Sequence, residues 1–327
     1  MKTVTFVPTK LNGTKQTAKT YLSDCLELIR GRDKIPALGA TLFRLTLSHP
    51  DVYTLVTPTT PGFSEESLSN ITSLDLHAPG YGDTYQLRFS GLTLPNLRSL
   101  TLKQFGLTLT SKWIDTPKLT CLRLLDVSIF GGADHNEWLW TPKQLTRLDL
   151  VRVYDETNFL VLLLEPPPKG CGCAETLEDL VLFKLSSPTN QLLDLRLLHH
   201  LKKIKNICIG PYLFSENEHP SLYLPLTVER LTIWEPDSPE YVFWANEFIE
   251  NWPGLSRFLK EKQFELFPRL KVIRVKALKD NWKKVGDNGA EEVVDVKELE
   301  EEFAVKGIKL VFRLLEGETT HLRFERL

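Results

Sequence analysis

An apolar-x-x-apolar-x-apolar spacing returns nine times along this chain. It runs through Leu42-Leu45-Leu47, Ile71-Leu74-Leu76, Leu97-Leu100-Leu102, Leu119-Leu122-Leu124 and Leu145-Leu148-Leu150. It continues at Leu177-Leu180-Leu182, Ile204-Ile207-Ile209, Val228-Leu231-Ile233 and Leu270-Ile273-Val275. Strand side chains alternate faces, so the last two positions of each hexad share a face and the first joins them from a turn. One such unit cannot bury that face alone, whereas stacked units can, each touching mainly its neighbours. The spacing predicts an α/β leucine-rich-repeat solenoid: a curved parallel sheet, an irregular convex side of loops and short helices, and helical caps.

Successive hexads start 29, 26, 22, 26, 32, 27, 24 and 42 residues apart, so the array is irregular. Where a regular repeat carries Asn or Cys to bond the turn backbone, this chain has Phe105, Val127, Val153, Leu185 and Tyr212. Apolar residues there are expected to pack instead. Pro95, Pro117 and Pro268 precede hexads closely, which suits the corner that launches a strand because proline fixes φ and forbids further helix. Residues 1–40, with helical apolar spacing from Tyr21 to Ile29, are read as an N-terminal helical cap, 41–284 as the array, and 285–327 as a C-terminal cap. The longest gap holds an aromatic helical insert at 240–267, including Trp244, Trp252, Phe264 and Phe267.

Composition narrows the setting. A net charge of -2 gives the whole chain no pull toward nucleic acid or membrane, so a charge-driven partner must use a local patch. The start carries no apolar run of signal-peptide length, and no segment reaches the roughly 18 apolar residues a membrane span needs. The expectation is a cytoplasmic or nuclear protein. Five scattered cysteines do not read as a disulfide framework.

Candidate chemistry is sparse. Phosphate-loop, zincin, nucleophile-elbow and dinucleotide motifs do not occur. Cys171-Gly172-Cys173 offers two thiolates, but a structural zinc needs four ligands and no second close pair follows. His199-His200 sits among leucines just before a hexad and reads as a turn position. We expect no catalytic site, no cofactor and no metal. A basic block stands out: Leu255 to Lys284 holds ten basic residues against three acidic, and the next twenty residues hold eight acidic against one basic. Its simplest role is a screened internal pairing at the C-terminal cap. The alternative, within 257–284, is binding of nucleic acid or an acidic peptide, and a hydrolase on a repeat scaffold is a third class that no motif favours.

The residues between and just after the buried leucines should line the concave face. That row turns apolar along the chain, from Ser48, His77 and Lys103 to Leu125, Val151, Phe183 and later Trp234. A contiguous apolar patch on neighbouring strands marks an interface. Phe183 and Trp234 are the expected anchors, Leu125 and Val151 their neighbours, and Arg123 and Asp149 the polar partners of a protein-binding surface.

The phrase Leu94-Pro95-Asn96-Leu97 leading into Leu100 and Leu102, its variant Thr116-Pro117-Lys118-Leu119, and the missing repeat Asn resemble the leucine-rich-repeat region of fungal F-box proteins. The resemblance covers about Leu42 to Ala277. It implies a protein-interaction module that selects substrates on its concave face for a cullin-type ubiquitin ligase. Lys19 to Arg44 shows neither the family's Leu-Pro-x-Glu opening nor its Trp-containing end, so the resemblance extends to the repeats alone.

Overall fold

A computed structural model describes residues 54–56, 72–77, 86–89, 92–108, 114–130, 142–156, 159–164, 173–186, 195–210, 224–234, 263–278, 283–285, 291–293 and 296–315. The expected N-terminal cap, the first hexad and most of the aromatic insert lie outside them. The chain divides into two compact units, Met1–Glu178 with Phe183–Asp194, and Asp179–Leu182 with Leu195–Leu327. Both are built on parallel strands with few helices.

The first unit contains β1 (Thr54–Val56), β2 (Ser73–His77), β3 (Gln86–Phe89), β4 (Leu92–Thr93), β5 (Ser99–Lys103), β6 (Gly106–Thr108), β7 (Ile114–Asp115), β8 (Cys121–Phe130) and β9 (Arg147–Asp155). β2, β5, β8 and β9 pair in parallel and stack their leucines: Leu74 opposite Leu100, Leu100 opposite Leu122, Leu122 opposite Leu148. These leucines are buried. The hexads that begin at Leu97, Leu119 and Leu145 open on a tight turn, in which Leu97 N–H donates to the Leu94 carbonyl, Leu119 to Thr116 and Leu145 to Pro142, at 3.1 Å each. The turn delivers two successive N–H groups to one carbonyl of the preceding segment. Arg98 and Ser99 donate to Thr72, Thr120 and Cys121 to Arg98, and Thr146 and Arg147 to Thr120.

β8 is long enough to pair twice, with β5 along its first half and β6 along its second. The two halves meet at a bend. Gln104, Asp126 and Arg152 occupy equivalent positions and are left-handed, with φ of 63°, 55° and 55°. Pairing resumes beyond them, Val127 opposite Val153. The bend brings Phe105, Val127 and Val153 into the interior, so the apolar substitutes for the repeat Asn pack as their chemistry requires. A left-handed L-residue costs about 1–2 kcal/mol. Cross-strand bonds offset it: Gln104 N–H donates to the Leu125 carbonyl at 2.9 Å, and the Arg152 guanidinium pairs with the Asp126 carboxylate. After β9 the chain forms a short helix, α1 (Phe159–Leu164), where the Leu160 N–H donates to the buried Asp155 carboxylate at 2.9 Å. Such caps satisfy helix-start donors that have no internal partner. The Cys173 thiol in the following 3-10 turn donates to the Leu163 carbonyl, so this cysteine is a packing residue.

The strand Asp179–Ser186 (β10) contributes Asp179–Leu182 to the second unit and its remainder to the first. In the second unit β10 pairs with β11 (Asn206–Ile209), β11 with β12 (Arg230–Trp234), β12 with β13 (Val272–Leu278) and β13 with β16 (Lys309–Leu315), all parallel. β14 (Lys283–Val285) and β15 (Glu291–Val293) form a small antiparallel pair. A helix, α2 (Val296–Val305), connects toward β16, and its Phe303 packs on Phe264 with ring centroids 4.2 Å apart. Both rings are buried. Thus the end of the expected aromatic insert and the expected C-terminal cap share one core, and β16 adds a strand to the parallel ladder. Lys306 of that segment pairs with Glu265 at 2.8 Å.

Two outcomes test this packing. Leu148→Ala, at a position with no exposure, should lower unfolding free energy by about 2–5 kcal/mol in a denaturant titration; a wild-type midpoint would show the leucine register to be wrong. At the bend, Asp126→Asn should cost under about 1 kcal/mol, since Asn tolerates left-handed backbone and only a partly exposed ion pair is lost. Asp126→Val should cost roughly 2–3 kcal/mol, because a β-branched residue fits that backbone poorly. Equal losses would mean that the ion pair and not the backbone holds the bend.

Candidate interaction surface

Residues that alternate with the buried leucines form outward rows, and the register fixes which side chains meet. In the first unit one row runs Asp75, Thr101, Arg123, Asp149 across β2, β5, β8 and β9. The row before it runs Ser99, Cys121, Arg147, and the row after it Lys103, Leu125, Val151. Arg123 and Asp149, expected only as polar neighbours of an apolar patch, are direct partners, with Nε to Oδ2 at 2.8 Å.

A second arginine completes the group. Arg147 lies two residues before Asp149 on the same strand face and donates from Nε to Oδ1 and from Nη2 to Oδ2, each at 3.0 Å. The Asp149 side chain is 4% exposed, against 38% for Arg123 and 49% for Arg147. One carboxylate with about four acceptor sites is thereby held by a forked contact from Arg147 and a single bond from Arg123, and the three side chains together carry one net positive charge. Arg147 was legible in principle: Arg-x-Asp on a strand places both side chains on one face. Leu125 and Val151 are half-buried one row further on, so a cationic cluster and aliphatic side chains adjoin on the same strands.

One expected anchor departs from the expectation, and the other falls outside what the structure describes. Phe183, predicted to face solvent, is buried at 4% exposure. Leu182, Phe183 and Leu185 are all interior, so β10 is covered on both faces there, and alternation does not separate the sides of such a strand. Phe183 is therefore a packing residue. Trp234 belongs to the second unit, at the end of β12 opposite Lys276; its side chain lies outside the described residues.

Cys121 sits in the same neighbourhood, in register with Ser99 and Arg147. Burial pushes its thiol above the ordinary value; Asp149 adds to the rise, while a hydrogen bond with Ser99 and the charges of Arg147 and Arg123 oppose it. A protonated, half-buried thiol is a weak nucleophile at neutral pH. His199 and His200 are exposed in the 3-10 turn Leu195–His200. Among the described residues no group of three His, Cys, Asp or Glu side chains could hold a metal, and no helix is long and apolar enough to cross a membrane. Compared with protein-family models, curated proteins and solved structures, the chain matches none.

The charge arrangement predicts the reactivity of Cys121. In Asp149→Asn the raising influence of the carboxylate disappears while both arginines remain, so the thiol pKa should fall. At pH 8, peptide-level mass spectrometry after iodoacetamide pulses should show Cys121 modified several-fold faster than in the wild type, with both rates rising toward higher pH. An unchanged rate would mean that burial alone governs this thiol.

Proposed function

We propose that the chain is a leucine-rich-repeat solenoid that works as an intracellular protein-protein interaction module, in the cytoplasm or nucleus, and is not an enzyme. One observation carries the reading: Asp149 fixes Arg123 and Arg147 beside half-buried Leu125 and Val151 on adjacent parallel strands. Interface centres combine arginine with aliphatic or aromatic contacts in this way, and an arginine whose geometry is already fixed loses less freedom on binding. The raised thiol pKa of Cys121 gives the same surface no activated nucleophile, which favours binding over catalysis.

In its most specific form the partner is a substrate selected for a cullin-type ubiquitin ligase, as the resemblance to fungal F-box repeats implies. The binding surface comprises Arg123, Leu125, Asp149 and Val151, with Trp234 a candidate contact of the second unit.

Quantitative affinity capture compares the wild-type chain with Leu125→Glu/Val151→Glu. The wild type should enrich a reproducible protein set that the variant loses at least about tenfold, with the melting temperature nearly unchanged, as surface substitutions usually leave it. Cullin-ligase subunits in that set support the adaptor form; a set without them leaves an interaction module without ligase attachment. Identical capture by both proteins removes this surface from the function.

A further inference from the structure

The outward positions of β12, β13 and β16 form a second surface, confined to the second unit. Register aligns Arg230 with Val272 and Lys309, Thr232 with Arg274 and Val311, and Trp234 with Lys276 and Arg313. Of the six whose side chains are described, Arg230, Arg274 and Lys309 are basic and none is acidic. Arg230, Arg274 and Lys309 are exposed, and the buried residues that alternate with them, Leu231, Ile273, Val275 and Leu310, fix the side on which they stand.

The internal pairing expected of the basic block does not account for these cations. Lys271 reaches back to Glu229 at 2.9 Å, and this bond holds the Glu229 carboxyl below the usual range. Arg230 donates to the Asn206 side chain at 3.3 Å, and Asn206 donates to Asp179, which closes the surface on the β10 side. Among the described residues, Arg274 and Lys309 have no ion-pair partner. Phe303 of α2 is buried against Phe264, so the acidic helix is held through an apolar contact and not through these cations.

We infer that this face docks an acidic, extended segment of a protein partner. Two strand spacings by two alternate-residue steps measure about 10 by 13 Å, which suits a few residues of extended chain. Carboxylates on every second residue of such a segment repeat at about 7 Å, the same step as along each strand. Half-buried Val272 and Val311 lie between the cations and offer aliphatic contact to the intervening residues. A longer polyanion would gain little, since its charges would run past Asp179 on a chain of net charge -2, and solution screening confines attraction to about 8–10 Å. This surface lies wholly in the second unit and is independent of the reading of the first.

The test measures fluorescence anisotropy of a short labelled peptide alternating glutamate and serine with the full chain. The wild type should bind at low salt and weaken as salt rises. Arg274→Glu/Lys309→Glu should weaken binding at least about tenfold, while Arg98→Glu, an exposed cation of the first unit, should not. Should the double charge reversal melt early, Arg274→Gln/Lys309→Gln removes the charge without adding repulsion and should give the same loss. Equal binding by wild type and variants, or no binding by the wild type at low salt, overturns the proposal. Tighter binding of a charge-matched single-stranded oligonucleotide, lost in the same variants, would assign the face to nucleic acid and also overturn it.

Discussion

Everything else in this protein depends on one backbone contact, the carbonyl at the start of each strand that receives two consecutive N–H groups from the next segment. Thr72, Arg98 and Thr120 play this part in the first unit, and Lys205 and Glu229 in the second. The paired bonds are 2.8 to 3.2 Å long, and they set the register before any side chain is chosen. A slip by one residue would turn each leucine outward and each cation inward. Because the carbonyl directly follows the turn, the tight turn that opens a hexad and the bond to the neighbouring segment form together. The threonines reinforce it: Thr120 and Thr146 also donate their hydroxyls to the Arg98 and Thr120 carbonyls, at 3.1 Å.

The left-handed bend is the price of continuing a strand past its hexad. At Gln104, Asp126 and Arg152 the alternation is interrupted at matched positions, so no partner loses its neighbour. A bend in one strand alone would strand unpaired backbone groups in the interior, at a cost of about 1–3 kcal/mol each. Repetition at equivalent positions avoids that, because Ser128 N–H still reaches the Phe105 carbonyl beyond the bend at 3.0 Å. The residues chosen follow from this. Asp tolerates the conformation, and Arg152 is held by its pair with Asp126.

The inward half of the structure was legible because period-two alternation and the hexad spacing report burial directly. Leu100, Leu122, Leu148, Ile207, Leu231 and Ile273 are all interior. The apolar substitutes Phe105, Val127 and Val153 were legible for the same reason, since an apolar side chain at a turn has nowhere else to go. The outward half was legible only as a list of positions. The hexad register that sets Leu122 opposite Leu148 also sets Arg123 opposite Asp149, so their adjacency was legible, whereas the direct bond between the two side chains was not. The bend was invisible, because Gln104 and Arg152 are not residues that announce positive φ. Phe183 misled for a physical reason: Leu-Val-Leu-Phe-Lys-Leu is nearly continuous in apolar residues, and such a run does not say which side is open.

With register fixed by backbone and leucines, the outward rows are free to vary, and the two units use that freedom differently. In the first, the Asp149 carboxylate offsets one of the two arginine charges and fixes both side chains, leaving a cluster whose value lies in geometry and in the aliphatic row beside it. In the second, Arg274 and Lys309 stand on neighbouring strands with no carboxylate on the same face of β12, β13 or β16, so the value of that surface lies in charge. Pre-paired charges add little long-range attraction but discriminate shape, whereas uncompensated charges accelerate encounter and weaken with salt. The two surfaces should therefore respond oppositely to ionic strength. Contacts through Leu125 and Val151 should persist as salt rises, because apolar burial is not screened, whereas contacts through Arg274 and Lys309 should fade.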